Sequence, residues 1–153
     1  MIESMTGNLL RADADALVNA VNCVGVMGKG IALQFKQAFP EMFASYREAV
    51  AAGAVKPGSM HVFATGALDG PKFIINFPTK RHWKGASRLE DIRAGLVDLV
   101  HQVRELRVCS IAIPPLGCGY GGLDWAEVKP LVVAAFESLP EVQVKLFEPA
   151  PGH

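Results

Sequence analysis

Apolar residues along the chain follow two different periods. Short, almost continuously apolar runs are typical of strands that are covered on both faces; they occupy residues 16–19, 60–64, 73–77, 110–113 and 142–147. Between these runs, apolar residues recur every three or four positions, as on one face of a helix. That spacing is clearest through residues 88–107, where it is kept by Leu89, Ile92, Leu96, Leu99, Val103 and Leu106. Strands that alternate with helices predict an α/β sandwich with a mostly parallel sheet.

Prolines and a glycine mark the ends of the shorter helices. A helical pattern over residues 31–39 stops at Pro40, which either ends that helix or opens the next one. The next pattern, over residues 43–50, is followed by Gly53 as a plausible stop. Pro130 is expected to begin the last helix, because proline is favoured in the first helical turn.

The length of the chain fits one domain, and its net charge argues against one class of partner. Its 153 residues are 50% hydrophobic and 20% charged, enough for one buried core but too few for two ordinary domains. Fifteen basic and fifteen acidic residues give a formal net charge of zero, which argues against a general DNA-coating protein. We predict a single domain over residues 1–148, with residues 149–153 as a tail or the start of a linker.

Cysteine usage and hydropathy predict a protein of the cytoplasm. Three cysteines without a CxxC pair make a poor disulfide framework and a poor zinc site, and they favour a reducing compartment. No apolar run is long enough to cross a membrane, and the N-terminus lacks the pattern of a signal peptide. We therefore expect a cytoplasmic monomer that has no membrane contact and binds no metal.

Two glycine-rich loops each follow a predicted strand and precede a predicted helix. They cover residues 19–30 and residues 114–125. Ligands of open α/β sheets bind beyond the carboxyl ends of the strands, and glycine lets backbone amides approach a phosphate closely. Each loop alone is as consistent with a tight turn, and neither has the Walker or the dinucleotide-binding spacing. Together, the two loops favour a ligand that contains a nucleotide diphosphate.

A third segment, residues 76–84, places basic side chains around an aromatic ring just after the most apolar strand. Here Lys80, Arg81, His82 and Lys84 surround Trp83 in an otherwise neutral protein. Single-stranded nucleic acid is bound by cations that contact its phosphates and by rings that stack on its bases. An ordinary solvated loop is the alternative interpretation.

Four blocks of the sequence, taken in order, resemble the macrodomain family. They are NAVN at residues 19–22, GVMGKGIA at 25–32, FPTK at 77–80 and LGCGYGGLDW at 116–125. The resemblance covers nearly the whole chain, and it points to the branch that holds the terminal ADP-ribose glycohydrolases and the DarG-type antitoxins. It implies a three-layer α/β/α sandwich with a mixed, mostly parallel sheet.

The resemblance also implies a binding site for ADP-ribose across the carboxyl edge of the sheet. Asn8 stands where many macrodomains carry an aspartate that accepts a hydrogen bond from the adenine amino group. An asparagine carbonyl accepts the same bond without charge assistance. The glycine loops would hold the diphosphate and ribose, and Asn22 would lie by the distal ribose. The expected ADP-ribose contacts are Asn8, Leu9, Asn22, Gly28, Lys29, Gly30, Ile31, Thr79, Gly117, Cys118, Gly119, Tyr120, Gly121 and Gly122.

Two residues match the catalytic groups of that branch. The resemblance makes Lys80 the nucleophile at the distal ribose and Asp124 the group that assists it as general acid or base. A neutral amine would form a covalent intermediate that water later resolves. The structural alternatives are a surface lysine for Lys80 and, for Asp124, the N-cap of the turn that follows it.

Other residues near these motifs have less specific interpretations. Cys118 is expected to pack as a small residue, because no base that could activate its thiol is evident. Trp125 is expected in the core rather than as a ligand platform. Tyr120 either covers the distal ribose or fills its loop, and His82 is not expected to be catalytic.

The resulting prediction is an enzyme that removes ADP-ribose from thymidine in single-stranded DNA and so reverses a DarT-type toxin. It would need no cofactor, with ADP-ribose as ligand and product, and DNA would be contacted by Arg81, His82, Trp83 and Lys84. Contact with the toxin itself is expected through a region that these residues do not include. The alternatives are a hydrolase of ADP-ribose on acidic protein side chains or of O-acetyl-ADP-ribose, a non-catalytic ADP-ribose reader, and a general nucleotide-binding protein.

Overall fold

A six-stranded sheet forms the middle layer of the computed structural model, which describes residues 1–150. Its strands are β1 (Ile2–Met5), β2 (Ala16–Asn22), β3 (His61–Ala64), β4 (Phe73–Lys80), β5 (Ser110–Ile113) and β6 (Gln143–Phe147). They lie in the order β1-β6-β5-β2-β4-β3. All neighbours pair in parallel except β3 and β4, which are antiparallel. The predicted mixed, mostly parallel sheet is therefore confirmed.

Two helices cover each face of the sheet. They are α1 (Gly30–Ala38), α2 (Pro40–Ala51), α3 (Leu89–Glu105) and α4 (Trp125–Phe136). The helices α1 and α2 pack through Phe35, Met42 and Tyr46 onto one apolar cluster, and α3 and α4 pack onto another on the opposite face. Pro40 opens α2, the second of the two readings left open for it. Among residues 1–150, no helix has both the length and the apolar content to cross a bilayer.

The predicted start of the last helix at Pro130 is wrong. The helix α4 begins at Trp125 and contains Pro130 in its interior. The Asp124 side chain accepts a hydrogen bond from the Ala126 amide at 3.0 Å and thereby caps the helix. Val128, which precedes the proline, is fully buried in the core. The cap and this burial extend the helix five residues ahead of a proline that, by itself, disfavours an interior position.

The strands β2 and β4 run three residues further than predicted, and one strand of the sheet was not predicted. The strand β4 continues past Phe77 through Pro78 to Lys80 because it pairs with β2 along that length. The register shifts by one residue between Val21 and Asn22, so that Asn22 lies opposite Lys80. The edge strand β1 was not predicted, since its sequence offers only two apolar residues and its pairing partner β6 is far away in sequence. The extension of β4 matters for function, because it places Lys80 at the carboxyl edge of the sheet.

Candidate functional site

A cleft of about 760 Å³ opens at the carboxyl edge of the sheet, where β2, β4 and β5 end. That volume suits a ligand of nucleotide size. Both glycine loops and the end of β4 contribute to its walls. The lining residues are Ala20, Val21, Asn22, Val26, Gly28, Lys29, Gly30, Ile31, Ala32, Thr79, Lys80, Trp83, Lys84, Pro114, Pro115, Gly117, Cys118, Gly119, Tyr120 and Gly121.

The cleft is cationic although the protein is neutral. Three lysines, Lys29, Lys80 and Lys84, are among its lining residues, and no Asp or Glu of the described chain is among them. Cations in a partly enclosed cleft raise the local concentration of an anionic ligand. The distribution of charge therefore favours a phosphate-bearing ligand, as the glycine loops did.

A second cavity of about 430 Å³ adjoins the cleft and shares Ile31, Pro114 and Pro115 with it. Its other lining residues are Gly7, Asn8, Leu9, Gln34, Phe147, Glu148, Pro149 and Ala150. The side-chain Oδ1 of Asn8 accepts a hydrogen bond from the Leu10 backbone amide at 3.0 Å, which caps a short 3-10 turn. An amide oxygen has two lone pairs, so Asn8 retains one acceptor position for a ligand. Together, the two cavities form one elongated track.

The first glycine loop is held by Asn22 and Tyr46. The side-chain Oδ1 of Asn22 accepts hydrogen bonds from the Val24 backbone amide at 3.0 Å and the Val26 backbone amide at 3.3 Å. The side-chain Nδ2 of Asn22 donates to the Val26 backbone carbonyl at 2.7 Å. From α2, the buried Tyr46 hydroxyl donates to the backbone carbonyl of Asn22 at 2.6 Å. The loop thus has a defined shape before any ligand binds, which lowers the entropy lost on binding.

The two glycine loops meet across the cleft at Tyr120 and Gly30. A Cβ on Gly30 would lie 3.3 Å from the ring of Tyr120, and its backbone φ of +57° also favours glycine. The Lys29 ammonium lies 5.7 Å from the centroid of the same ring, within reach of a cation–π contact. Tyr120 is 70% exposed, so it covers the cleft rather than filling its own loop.

Lys80 lies at the end of β4, opposite Asn22, and its side chain is partly exposed to the cleft. Its Nζ donates a hydrogen bond to the backbone carbonyl of Trp83 at 3.3 Å. Trp83 is 46% exposed, stacks on His82, and has the Lys84 ammonium 4.9 Å from its ring centroid. The structure therefore brings the predicted nucleophile and two of the predicted DNA contacts to one wall of the cleft.

Most predicted ADP-ribose contacts line one of the two cavities. Asn8 and Leu9 line the smaller cavity, Ile31 lines both, and the others except Gly122 line the cleft. Phe147 and Gln34 line the smaller cavity and were not predicted, because nothing in their local sequence marks them as ligand contacts. Pro114 and Pro115 were not singled out either, although a rigid pair at the end of a strand was a usable signal.

Asp124 is not among the residues that line either cavity. It is exposed, and its carboxylate caps α4, as the structural alternative predicted. Burial, and to a lesser extent the charge of Asp124, raises the pKa of Cys118 to about 11. The Cys118 thiol therefore stays protonated near neutral pH, which agrees with its expected packing role.

Two predicted DNA contacts, Arg81 and His82, and the predicted core residue Trp125 lie outside the cleft lining. Arg81 and His82 are exposed but do not line the cleft. The Arg81 guanidinium donates two hydrogen bonds, each of 3.2 Å, to the carboxylate of Asp91 in α3. Trp125 packs partly buried against the core and donates from its indole N–H to Glu148, as expected of a structural residue.

A row of hydrogen-bonded polar side chains, of which Asn19 and Asn76 are fully buried, crosses the sheet behind the first glycine loop. Asn19, Asn76 and His61 lie opposite one another on β2, β4 and β3. Asn19 donates to Asn76 at 3.1 Å, Asn76 donates to Nδ1 of His61 at 2.9 Å, and His61 Nε2 lies 3.0 Å from the Ser45 hydroxyl. Because Nδ1 accepts, the ring is neutral with its proton on Nε2, and burial lowers the pKa of His61.

This row predicts how stability depends on pH. Below a pH of about 6.5 the unfolded chain protonates His61, whereas the folded chain does so only at lower pH. The folded state therefore loses stability as pH falls through that window. We expect the melting temperature to drop more between about pH 7.5 and 5.5 in the wild type than in His61→Gln. Calorimetry at both pH values measures this, and equal drops would contradict it.

Comparisons with known proteins place these features in context. The family described as Macro domain matches residues 18–132. A DNA ADP-ribosyl glycohydrolase of Mycobacterium tuberculosis is 57% identical over 152 residues, which are 99% of this chain and 43% of that protein. The chain thus spans less than half the length of this relative.

Solved structures match over the whole fold. The macrodomain of Mycobacterium tuberculosis DarG superposes with a TM-score of 0.97 at 57% identity, over 98% of this chain and 99% of that one. Thermosipho africanus DarTG in complex with ADP-ribose superposes with a TM-score of 0.89 at 31% identity, over 96% of this chain and 41% of that one. The resemblance drawn from the four sequence blocks is confirmed.

Proposed function

Because this chain belongs to the macrodomain family, we propose that it binds ADP-ribose along its two cavities and removes it from thymidine in single-stranded DNA. The proposal draws on the relatives named DNA ADP-ribosyl glycohydrolase and on the related DarTG structure that contains ADP-ribose. A further relative, from Thermosipho africanus, is named as a fusion of DNA ADP-ribosyl transferase and DNA ADP-ribosyl glycohydrolase. A DarT-type transferase is accordingly the proposed source of the modified base. Contact with that toxin, the monomeric state and the cytoplasmic location stay predictions.

The ligand is proposed to lie with its adenine in the smaller cavity and its distal ribose at the end of β4. Asn8 would accept from the adenine amino group through its free lone pair. The backbone of the two glycine loops and the Lys29 ammonium would hold the diphosphate. Tyr120 would cover it from the opposite loop. The distal ribose would then lie beside Asn22 and Lys80, which pair in register.

The observation that carries the proposal is the position of Lys80. Lys80 lines the same cleft as both glycine loops and lies at the carboxyl end of β4, an inner strand of the sheet. The neutral amine would attack the anomeric carbon of the distal ribose as the bond to the base breaks. The electron pair of that bond leaves with the base, which takes up a proton. Water then cleaves the new carbon–nitrogen bond, which releases ADP-ribose and restores the amine.

Trp83 and Lys84 are the features that favour DNA over an ADP-ribosylated protein. Both line the cleft beside Lys80, and Trp83 exposes nearly half of its surface. An exposed indole stacks on an unpaired base and an ammonium contacts a phosphate, whatever the base sequence. A base that carries ADP-ribose must also leave the duplex stack to enter a cleft, which favours a single strand.

Two substrates tested side by side would decide the activity. One is a single-stranded oligonucleotide that carries ADP-ribose on thymidine, and the other is a protein that carries it on glutamate. We expect release from the oligonucleotide alone. Release from the protein alone would assign the chain to protein-directed hydrolysis, and tight binding of ADP-ribose without release from either would make it a reader.

The role of Asp124 is tested by a substitution that preserves its cap. Asparagine caps helices as well as aspartate does but does not transfer a proton, so Asp124→Asn is expected to leave the melting temperature unchanged. A proton shuttle at Asp124 predicts a loss of about 10²-fold or more in turnover. Since Asp124 caps α4 and does not line the cleft, we expect turnover within a few-fold of wild type. A large loss of turnover in a folded Asp124→Asn variant would support Asp124 as the proton shuttle.

A further inference from the structure

Asp91 is a buried carboxylate close to the cleft. It lies in the first turn of α3 and is 5% exposed, whereas most charged residues of the protein face solvent. A buried carboxylate is costly unless it is paired and hydrogen-bonded. Within residues 1–150, its side chain pairs with Arg81 alone, through two parallel hydrogen bonds of 3.2 Å each. This bidentate geometry fixes the direction of the guanidinium as well as its position.

Arg81 begins the segment that forms one wall of the cleft. It directly follows Lys80, and the chain then passes through Trp83 and Lys84, both of which line the cleft. We call residues 81–87 the wall segment. Residues 81–86 are exposed and belong to no helix or strand, so their own secondary structure does not hold them in place.

The wall segment is anchored at both ends. At its far end the Ser87 amide donates to the carbonyl of Gly121, in the second glycine loop, at 2.9 Å. A Cβ on Gly121 would lie 2.3 Å from the Ser87 hydroxyl and 3.0 Å from its Cβ, so a larger residue at position 121 would displace Ser87. At its near end the anchor is the pair of Arg81 with Asp91. Between the two, the Trp83 carbonyl accepts the hydrogen bond from the Lys80 amine.

We infer that Asp91 and Arg81 form a positioning pair that sets the wall segment, and through the Trp83 carbonyl the Lys80 amine, for attack. This inference rests on the proposed function. It also changes the role predicted for Arg81 from the sequence: its guanidinium acts on Asp91 and not on a DNA phosphate. The free cation of the wall segment is then Lys84, which lines the cleft and forms no ion pair among the described residues.

Turnover and salt dependence separate positioning from phosphate contact. A misplacement of about 1 Å costs about 10²-fold in rate, so Asp91→Asn and Arg81→Gln are each expected to lower kcat about 10- to 100-fold. The double variant should be no slower than the slower single variant, because the pair acts as one unit. Arg81→Lys, which keeps one of the two hydrogen bonds, should recover part of the rate.

Affinity for the ADP-ribosylated oligonucleotide should depend on salt in a distinct way. Measured in a Lys80→Ala background, the slope of log affinity against log salt is expected to stay the same in Arg81→Gln. In Lys84→Gln the slope should fall by about 0.7, the value for one phosphate contact on a single strand. Arg88→Gln is the matched control, since it breaks an exposed ion pair with Glu90 at the start of α3, and Arg88 does not line the cleft.

A fluorine NMR resonance at Trp83 reports on the conformation of the wall segment and does not require catalytic activity. The chain has two tryptophans, so protein labelled with 5-fluorotryptophan gives two resonances, which Trp83→Phe assigns. The Trp83 resonance is expected to shift in Arg81→Gln and Asp91→Asn but not in Arg88→Gln, with the Trp125 resonance as internal reference. If the oligonucleotide is not a substrate, the proposed function fails while this signal still tests the positioning role.

Three outcomes would overturn the inference. They are an unshifted Trp83 resonance in Arg81→Gln, a kcat in that variant equal to wild type, and a salt slope that falls as far as in Lys84→Gln. If either single variant does not fold, the double variant Arg81→Gln/Asp91→Asn decides, because it removes both charges and leaves no buried carboxylate unpaired.

Discussion

Replacing Lys80 with alanine should lower the release of ADP-ribose from the oligonucleotide by about 10³-fold or more. The amine is the proposed nucleophile, whereas the other two lysines of the cleft are proposed to bind phosphates: Lys29 the diphosphate of ADP-ribose and Lys84 the DNA backbone. Affinity for free ADP-ribose should stay within a few-fold, because the glycine loops and the smaller cavity supply the other contacts. Single-turnover release and calorimetric titration with ADP-ribose measure the two effects.

Two further variants separate the nucleophile from its charge. Lys80→Arg keeps the cation but has no neutral nitrogen to attack with, so it is expected to be as inactive as Lys80→Ala. Lys56→Ala removes an exposed lysine outside the cleft and should be fully active. Activity near wild type in Lys80→Arg would reduce Lys80 to an electrostatic role, and activity in Lys80→Ala would remove it from the mechanism.

Replacing Gly95 with alanine should destabilise the protein, although alanine usually favours a helix by about 1 kcal/mol. A Cβ there would lie 2.3 Å and 2.5 Å from atoms of the Phe77 ring, which is fully buried. Either the ring or α3 must move, and overpacking of this kind costs about 1–3 kcal/mol or more. Because Phe77 precedes Pro78, Thr79 and Lys80 on β4, we also expect a lower rate of ADP-ribose release. Denaturant unfolding measures the first effect.

Two further variants test whether overpacking against Phe77 causes the loss of stability. Phe77→Leu in the Gly95→Ala background should recover part of the stability, since the smaller side chain frees the space that the new Cβ needs. Val97→Ala lies on the exposed face of the same helix, with Val97 75% exposed, and should change the free energy of unfolding by less than about 0.5 kcal/mol. A stable Gly95→Ala variant would show that the ring has room to move.

The sequence predicted the fold class and five of the six strands because each of these signals is local. A run such as residues 110–113 is apolar enough to need cover on both faces, and the spacing through residues 88–107 suits only a helix with one buried face. The edge strand β1 was missed because β6, its partner in register, follows about 140 residues later. The start of α4 was misplaced because the Asp124 cap and the burial of Val128 outweigh Pro130.

The amino-acid sequence by itself identified the residues that are proposed to carry chemistry: the two glycine loops, Lys80, and the basic and aromatic residues after it. The tertiary structure decided which partners their side chains contact. Proximity in the sequence placed Arg81 with Lys84 as a nucleic-acid contact, but α3 brings the buried Asp91 to Arg81 and leaves Lys84 in the cleft. The tertiary structure likewise places the Asp124 side chain at the N-cap of α4. The reason is physical: a side chain's type sets which bonds it can form, whereas the partner it bonds comes from elements that are distant in the chain.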